Sequence, residues 1–316
     1  MFLFPLICSC LIFSISNAQS SYPPNNLTAS ERGTLVDNKI IFFDSADFQL
    51  THAFSLDLSV SWNISAPAFT NLEDLRAPTF RYTAFSAFKR DSRTLIYAFG
   101  GLNPSKDDDW SQGTFIDDFY EIDITSHPIL ISKLPITSEG TPGARCFFTS
   151  VFDDKGKLYI WGGETRATTD KAMYIFDTSK SKWSRVFPSS APEQRSGYSV
   201  TFKDNKLYFI GGIFANKPDQ KCVDIREILI YDTLDTNNPW TTQSATNNTY
   251  ISDRYVHSAI LAPDKQAIIL YGGSLSGYSG VPRDYLLALD LQTFKFSVPV
   301  TQNEPKIDDV SDHPTA

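Results

Sequence analysis

Arg195-Ser-Gly-Tyr-Ser-Val-Thr-Phe-Lys-Asp-Asn-Lys-Leu-Tyr-Phe-Ile-Gly-Gly212 holds the pattern from which the rest of the chain is read. A first strand-like run leads into the polar turn KDNK at 203–206, and a second run, LYFI at 207–210, closes at Gly211-Gly212. Asp-Asn between two such runs signals a hairpin, because both residues tolerate the left-handed backbone that a tight turn between twisted strands requires. The same order recurs: LIYAF, LYIW and IILY end at Gly100-Gly101, Gly162-Gly163 and Gly272-Gly273, and similar turn chemistry sits at Asp37-Asn38, Asp91-Ser92, 153–156 and Pro263-Asp264. One structural unit therefore repeats along the chain.

Two further marks do not depend on the glycines. An Arg precedes each first strand at Arg32, Arg81, Arg145, Arg195 and Arg254, with separations of 49, 64, 50 and 59. An Asp ends each third strand at Asp57, Asp123, Asp177, Asp232 and Asp290, with an aromatic residue or Leu three positions earlier (Phe54, Tyr120, Tyr174, Leu229, Leu287). A fourth strand then carries a bulky aromatic, as at Trp183. Five units of four antiparallel strands result, and a strand-rich repeat of roughly 50 residues can bury its faces only against its neighbours. The expectation is an all-β propeller of five recognisable blades over 32–300, preceded by a lead-in at 19–31 and followed by a polar tail at 301–316. Five units leave either a five-bladed ring or an incomplete one with an exposed edge, and exposed edges invite pairing. The acidic end of the chain at 308–316 is read as the start of a further, truncated repeat.

The order Arg-x-x-x-Ser/Thr, apolar strand, Gly-Gly, Tyr-x-x-Asp, Trp resembles the kelch repeat over residues 32–298, most closely in Arg254-Tyr-Val-His257-Ser258 through Gly272-Gly273. The first unit departs from it, with Asp44-Ser45 in place of the glycine pair, and the second lacks a Trp in its fourth strand. The resemblance implies a rigid ring whose variable loops, those after each glycine pair, carry recognition. Kelch-type propellers include the galactose oxidase family, in which histidines and tyrosines hold copper, so the alternative to a binding module is a copper oxidase acting on carbohydrates or alcohols. His257 near Tyr255 is similar to part of such a site. The chain, however, has only His52, His127, His257 and His313, and none besides His257 falls in a matching inner-strand position. The tail residues Glu304, Asp309 and His313 miss by one residue the iron-binding spacing of plant kelch specifier proteins.

The N-terminal MFLFPLICSCLIFSISNA is apolar and ends in Ser16-Asn17-Ala18, the small-x-small form of a signal-peptidase site. Residues 1–18 are therefore expected to be a cleaved signal peptide and the mature protein to be secreted or at the cell surface. Cys146 and Cys222 then remain and are expected to form a disulfide, and the sequons at Asn26, Asn63 and Asn247 become glycosylation sites.

A net charge of −8 without a Lys/Arg stripe argues against a nucleic-acid partner. Arg81, Arg145, Arg195 and Arg254 would lie around the channel mouth, either gripping an anionic ligand or closing hydrogen bonds to a neighbouring blade. The acidic loop KDDDWSQGTFIDD at 106–118 has Gln112 where a calcium loop needs Gly, and reads as a solvated loop. No Gly-x-Ser-x-Gly or phosphate-loop pattern occurs. The sequence thus points to a secreted propeller that binds a protein, peptide or glycan, with no cofactor.

Overall fold

A computed structural model describes residues 32–44, 51–61, 68–75, 82–103, 113–136, 140–166, 171–215, 221–247, 250–276 and 280–299. They form a five-bladed propeller arrangement. Blade 1 consists of Arg32–Val36, Lys39–Asp44, Thr51–Asp57 and Phe69–Leu75; blade 2 of Ala84–Arg90, Arg93–Phe99, Phe119–Asp123 and Leu130–Lys133. Blade 3 is built from Val151–Phe152, Lys157–Trp161, Met173–Asp177 and Lys182–Val186; blade 4 from Ser199–Lys203, Lys206–Ile210, Glu227–Asp232 and Trp240–Ser244. Blade 5 contains Ser258–Leu261, Ala267–Tyr271, Leu286–Asp290 and Lys295–Ser297. Within each blade the strands pair antiparallel in chain order, and the first strands of successive blades abut, which places them nearest the axis. A short strand, Thr246–Asn247, runs parallel to the last strand of blade 5 and stitches the exit of blade 4 onto the next sheet.

The turn residues explain the hairpins. Asp204 and Asn205 both have positive φ (50° and 60°) between the paired Lys203 and Lys206, the geometry of a two-residue turn that follows the strand twist. The repeated Asp has an equally local cause. Asp57, Asp123, Asp177 and Asp232 each accept the amide N–H two residues on, at 2.8, 3.0, 3.0 and 2.9 Å, and Asp290 accepts those of Gln292 and Thr293. Each carboxylate thereby closes the turn into the fourth strand.

Aromatic wedges fill the spaces between central blades. Phe119 of blade 2 meets Phe176 and Trp183 of blade 3 at ring separations of 4.8 and 5.1 Å. Trp161 of blade 3 meets Phe209 and Trp240 of blade 4 at 5.2 and 4.9 Å. The remaining interfaces are more aliphatic: Ile41 and Phe43 pack with Phe85 and Ile96 between blades 1 and 2, and Ile210 and Ile228 with Ile268 and Leu270 between blades 4 and 5. Burial of this apolar area is the main stabilising contribution.

Candidate functional site

The glycine pairs bring the end of each blade's second strand back against the segment that precedes its first. Cys146 bridges Glu164, Ser196 pairs with Ile213, and Tyr255 bridges Ser274. The arginines sit in these segments, one end of the propeller.

Three of those arginines act as staples between blades. The Arg145 carbonyl accepts the Gly101 N–H of blade 2 at 2.9 Å, while its Nη1 donates to the Gly162 carbonyl of blade 3 at 2.8 Å. The Arg195 carbonyl accepts the Gly163 N–H at 2.8 Å, and its guanidinium donates to the Glu227 backbone carbonyl at 3.2 Å and pairs with the Glu227 carboxylate. The Arg254 carbonyl accepts the Gly212 N–H at 2.9 Å, its Nη1 donates to the Asp284 carbonyl at 2.9 Å, and its Nη2 reaches Asp284 Oδ2 at 2.6 Å. Backbone thus grips the preceding blade and side chain the arginine's own. All three are buried, Arg254 completely. Burial pushes the Arg195 and Arg254 guanidiniums down, opposed by Glu227 and Asp284 respectively. Of the two expectations for the arginines, anion grip or hydrogen bonding between blades, the geometry of these three fits hydrogen bonding, with the side-chain donors turned into the fold. Arg81 lies outside the described residues.

The position two residues further on is conformationally distinct. Phe147, Gly197 and Val256, each two residues after its Arg, have positive φ (54°, 62° and 49°). Tyr82 has it too, at 54°, but directly follows Arg81, so that Arg is one position out of step with the others. Gly197 N–H donates to the Phe147 carbonyl at 2.7 Å, and Val256 N–H to the Gly197 carbonyl at 2.6 Å, linking blades 3, 4 and 5 in a belt. The Tyr82 and Phe147 rings lie 4.6 Å apart, and Val256 is 43% exposed. A left-handed conformation costs a non-glycine residue about 1–2 kcal/mol, and such strain concentrates at ligand-contacting positions. The product is an apolar collar. After the blade 3 glycine pair, Arg166 holds its guanidinium 5.3 Å from the Phe115 ring and donates to the Gly113 carbonyl at 2.6 Å, both in blade 2 loop residues. Sequence reasoning fixed on the invariant-looking Arg and passed over the residue two places on; aromatic or β-branched Phe147 and Val256 at that spacing were the available signal.

The other candidates resolve individually. His257 stands three residues after Arg254, the position of Phe148 and Tyr198 in blades 3 and 4, and packs against Gly211 as they pack against Gly100 and Gly162. Its Nε2 shares a 2.9 Å hydrogen bond with Ser199 Oγ, and burial, aided by Arg254, pushes the imidazole down to about 3. It is a packing residue in a ring-filling position. Among the described residues no three His, Cys, Asp or Glu side chains gather to hold a metal. His127 precedes Pro128 in the turn after the third strand of blade 2; the side chain of His52, all of His313, and the tail residues Glu304 and Asp309 lie outside the described residues.

No disulfide joins Cys146 and Cys222, which corrects that expectation. Cys146 is fixed in its bridge to Glu164 within blade 3, whereas Cys222 bridges Ile213 and clusters with it and Tyr255. Both cysteines are buried, and burial raises the Cys222 thiol against the opposing hydrogen bond with the Ser276 side chain. Of the acidic loop, residues 113–118 are described, and Asp118 binds Lys133 Nζ at 2.6 Å and accepts the Tyr120 hydroxyl at 2.9 Å, both within blade 2. Asn26 and Asn63 lie outside the described residues, and Asn247 is half-buried in the short parallel strand.

The KLHDC2/KLHL20/DRC7 Kelch-repeats domain family matches residues 85–313. Among curated proteins, the chain is 27% identical over 121 residues to the N-(sulfonatooxy)prop-2-enimidothioate sulfolyase of Thlaspi arvense, covering 37% of this chain and 32% of that protein. It is 30% identical over 129 residues to Host cell factor 2 of Homo sapiens (38% of this chain, 16% of that one). It is 32% identical over 85 residues to the Rab9 effector protein with kelch motifs of Xenopus laevis (26% and 23%). These matches span at most about a third of each relative's length.

Proposed function

This chain belongs to the kelch-repeat family, and from that premise we propose that its propeller is a protein-interaction module that takes an extended apolar or aromatic peptide segment at the collar of Tyr82, Phe147 and Val256. The observation that carries this reading is the belt of positive-φ residues: a rigid ring holds partly exposed apolar side chains in strained conformations while the neighbouring arginines are committed to the fold. Peptide segments dock on such surfaces through aromatic anchors surrounded by hydrogen-bonding groups. Relatives described as an effector protein and a host cell factor fit a binding role. Among the described residues no helix is long and apolar enough to cross a membrane.

A displayed random-peptide library selected on the immobilised full chain tests the assignment. Enriched peptides should carry apolar anchors and lose about tenfold or more in affinity against Phe147→Asp or Val256→Asp, the magnitude of an interface anchor, while the melting temperature of each variant stays near that of the parent. Selected peptides indifferent to both substitutions would place the site elsewhere. The apolar leader at 1–18 supports secretion as part of the same proposal; N-terminal sequencing of protein expressed in a secreting cell should begin at Gln19, and an intact Met1 would remove it.

A further inference from the structure

Blade 5 carries a charge at a position where blades 3 and 4 carry none. The residue before the staple arginine is Ala144 in blade 3, Gln194 in blade 4 and Asp253 in blade 5. Gln194 is buried, whereas Asp253 is exposed. Asp253 Oδ1 accepts the Ile225 N–H of blade 4 at 2.8 Å, which fixes the carboxylate across the junction of blades 4 and 5. Val256 follows three residues later, so the two Cα atoms lie within about 11 Å of each other, the reach of three residues of extended chain.

The cations around it are engaged elsewhere. Arg254 Nη2 reaches Asp284 Oδ2 at 2.6 Å, Arg226 holds Asp224 through two bonds of 2.8 and 2.6 Å, and Arg195 pairs with Glu227. Among the described residues Asp253 has no ion-pair partner. Partial burial raises its pKa against the Ile225 hydrogen bond; the Asp224 charge adds to the rise, and Arg226 and Arg254 lower it more weakly. A carboxylate fixed by one backbone donor and paired with no described cation therefore stands on the segment that presents Val256.

We propose that Asp253 is a specificity-determining residue of the collar, and that the peptide segment taken there carries a Lys or Arg one or two residues from its apolar anchor, the cation on the Asp253 carboxylate and the anchor on Val256. The assignment rests on the collar as the peptide site and adds the chemistry of the neighbouring position. Long basic side chains suit the span, because their stems lie along apolar surface while the charged head reaches the carboxylate. A net charge of −8 draws basic segments to the molecule as a whole, and Asp253 supplies the position. The sign is the reverse of an arginine-lined mouth, since those arginines are turned into the fold.

The test selects a displayed random-peptide library on the immobilised full chain as parent, Asp253→Asn and Asp91→Asn. Asparagine at 253 keeps an oxygen for the Ile225 N–H. Asp91 is exposed in the first hairpin turn of blade 2, at the opposite end of the propeller, with a positive φ (57°) that Asn tolerates, so its replacement removes the same charge away from the collar. Peptides whose binding depends on Val256, read with Val256→Asp, should carry Lys or Arg within two positions of the anchor when selected on the parent or Asp91→Asn, and lose that enrichment on Asp253→Asn. A synthetic peptide from the parent pool should bind Asp253→Asn about threefold more weakly at low salt, the worth of an exposed ion pair, with the difference shrinking as salt is added. Replacing the peptide's cation by Gln should cost the same factor on the parent, a comparison that needs no protein variant. Val256-dependent peptides without the cation, or with equal enrichment on Asp253→Asn, would overturn this proposal and leave the collar in place. Peptides indifferent to Val256→Asp would overturn both.

Discussion

At the scale of single residues, the same sequence position does different work in different blades. The site three after Arg145, Arg195 and Arg254 holds Phe148, Tyr198 and His257, and of these only the histidine has an ordinary pKa between pH 5 and 8. Folded His257 is held near 3 against an ordinary 6.5, so between those values the unfolded chain binds a proton that the folded chain excludes. Stability must therefore fall as pH drops below about 6.5, by roughly 2 kcal/mol between pH 7 and 5 from this group. Replacing the imidazole by the ring that blade 3 uses, His257→Phe, should flatten that dependence in urea titrations at the two pH values. The cost of leaving Ser199 unpaired appears equally at both, so an unaltered pH slope would show that His257 is not held neutral. The sequence made this histidine visible as a metal candidate but hid its role, because burial and the partner hydroxyl of Ser199, 58 residues away, come from a neighbouring blade.

At the scale of elements, the glycine pair is a junction, and its cost of substitution depends on what lies opposite. Gly162 has φ of +67° with the Arg195 carbonyl in the place of a Cβ; Gly272 has φ of +68° and, among the described residues, no atom within 4 Å of where a Cβ would lie. Gly272→Ala should cost about 1–2 kcal/mol from backbone strain alone. Gly162→Ala must also push blade 4 away and should cost roughly 3 kcal/mol or more, in the range of changes that break core packing. Thermal melts of the two variants separate these effects, and equal losses would mean that the blade junction contributes nothing. Hairpins, the repeated Asp and the blade count were legible because each rests on contacts within a few residues: Asp204-Asn205 turns locally, and Asp177 accepts an amide two residues away. Hydrogen bonding from Ser179 holds that carboxylate down to about 2, a strength that also arises locally. The cysteines were misjudged for the opposite reason. Sharing one end of the propeller does not bring two sulfurs together when each is fixed in its own strand bridge.

At the scale of the whole molecule, the kelch pattern joins blades 2 to 5 by one repeated contact, in which an arginine's carbonyl holds the blade before it and its guanidinium holds its own. This division leaves the collar two residues further on as the surface offered to a partner. Arg254 and Val256 embody the two roles in adjacent register: Arg254 is completely buried against Asp284, and Val256 is 43% exposed. Urea unfolding of Arg254→Ala beside Val256→Ala is the most direct test. Removing Arg254 leaves the largely buried Asp284 carboxylate without its counter-charge, the Ser252 N–H remaining as a donor, and should lower stability by about 3 kcal/mol, as breaking a buried ion pair does, while Val256→Ala should stay within about 1 kcal/mol because it removes exposed surface and relieves a strained β-branched residue. A stable Arg254→Ala protein, or a Val256→Ala protein destabilised to the same degree, would contradict the assignment of staple and collar.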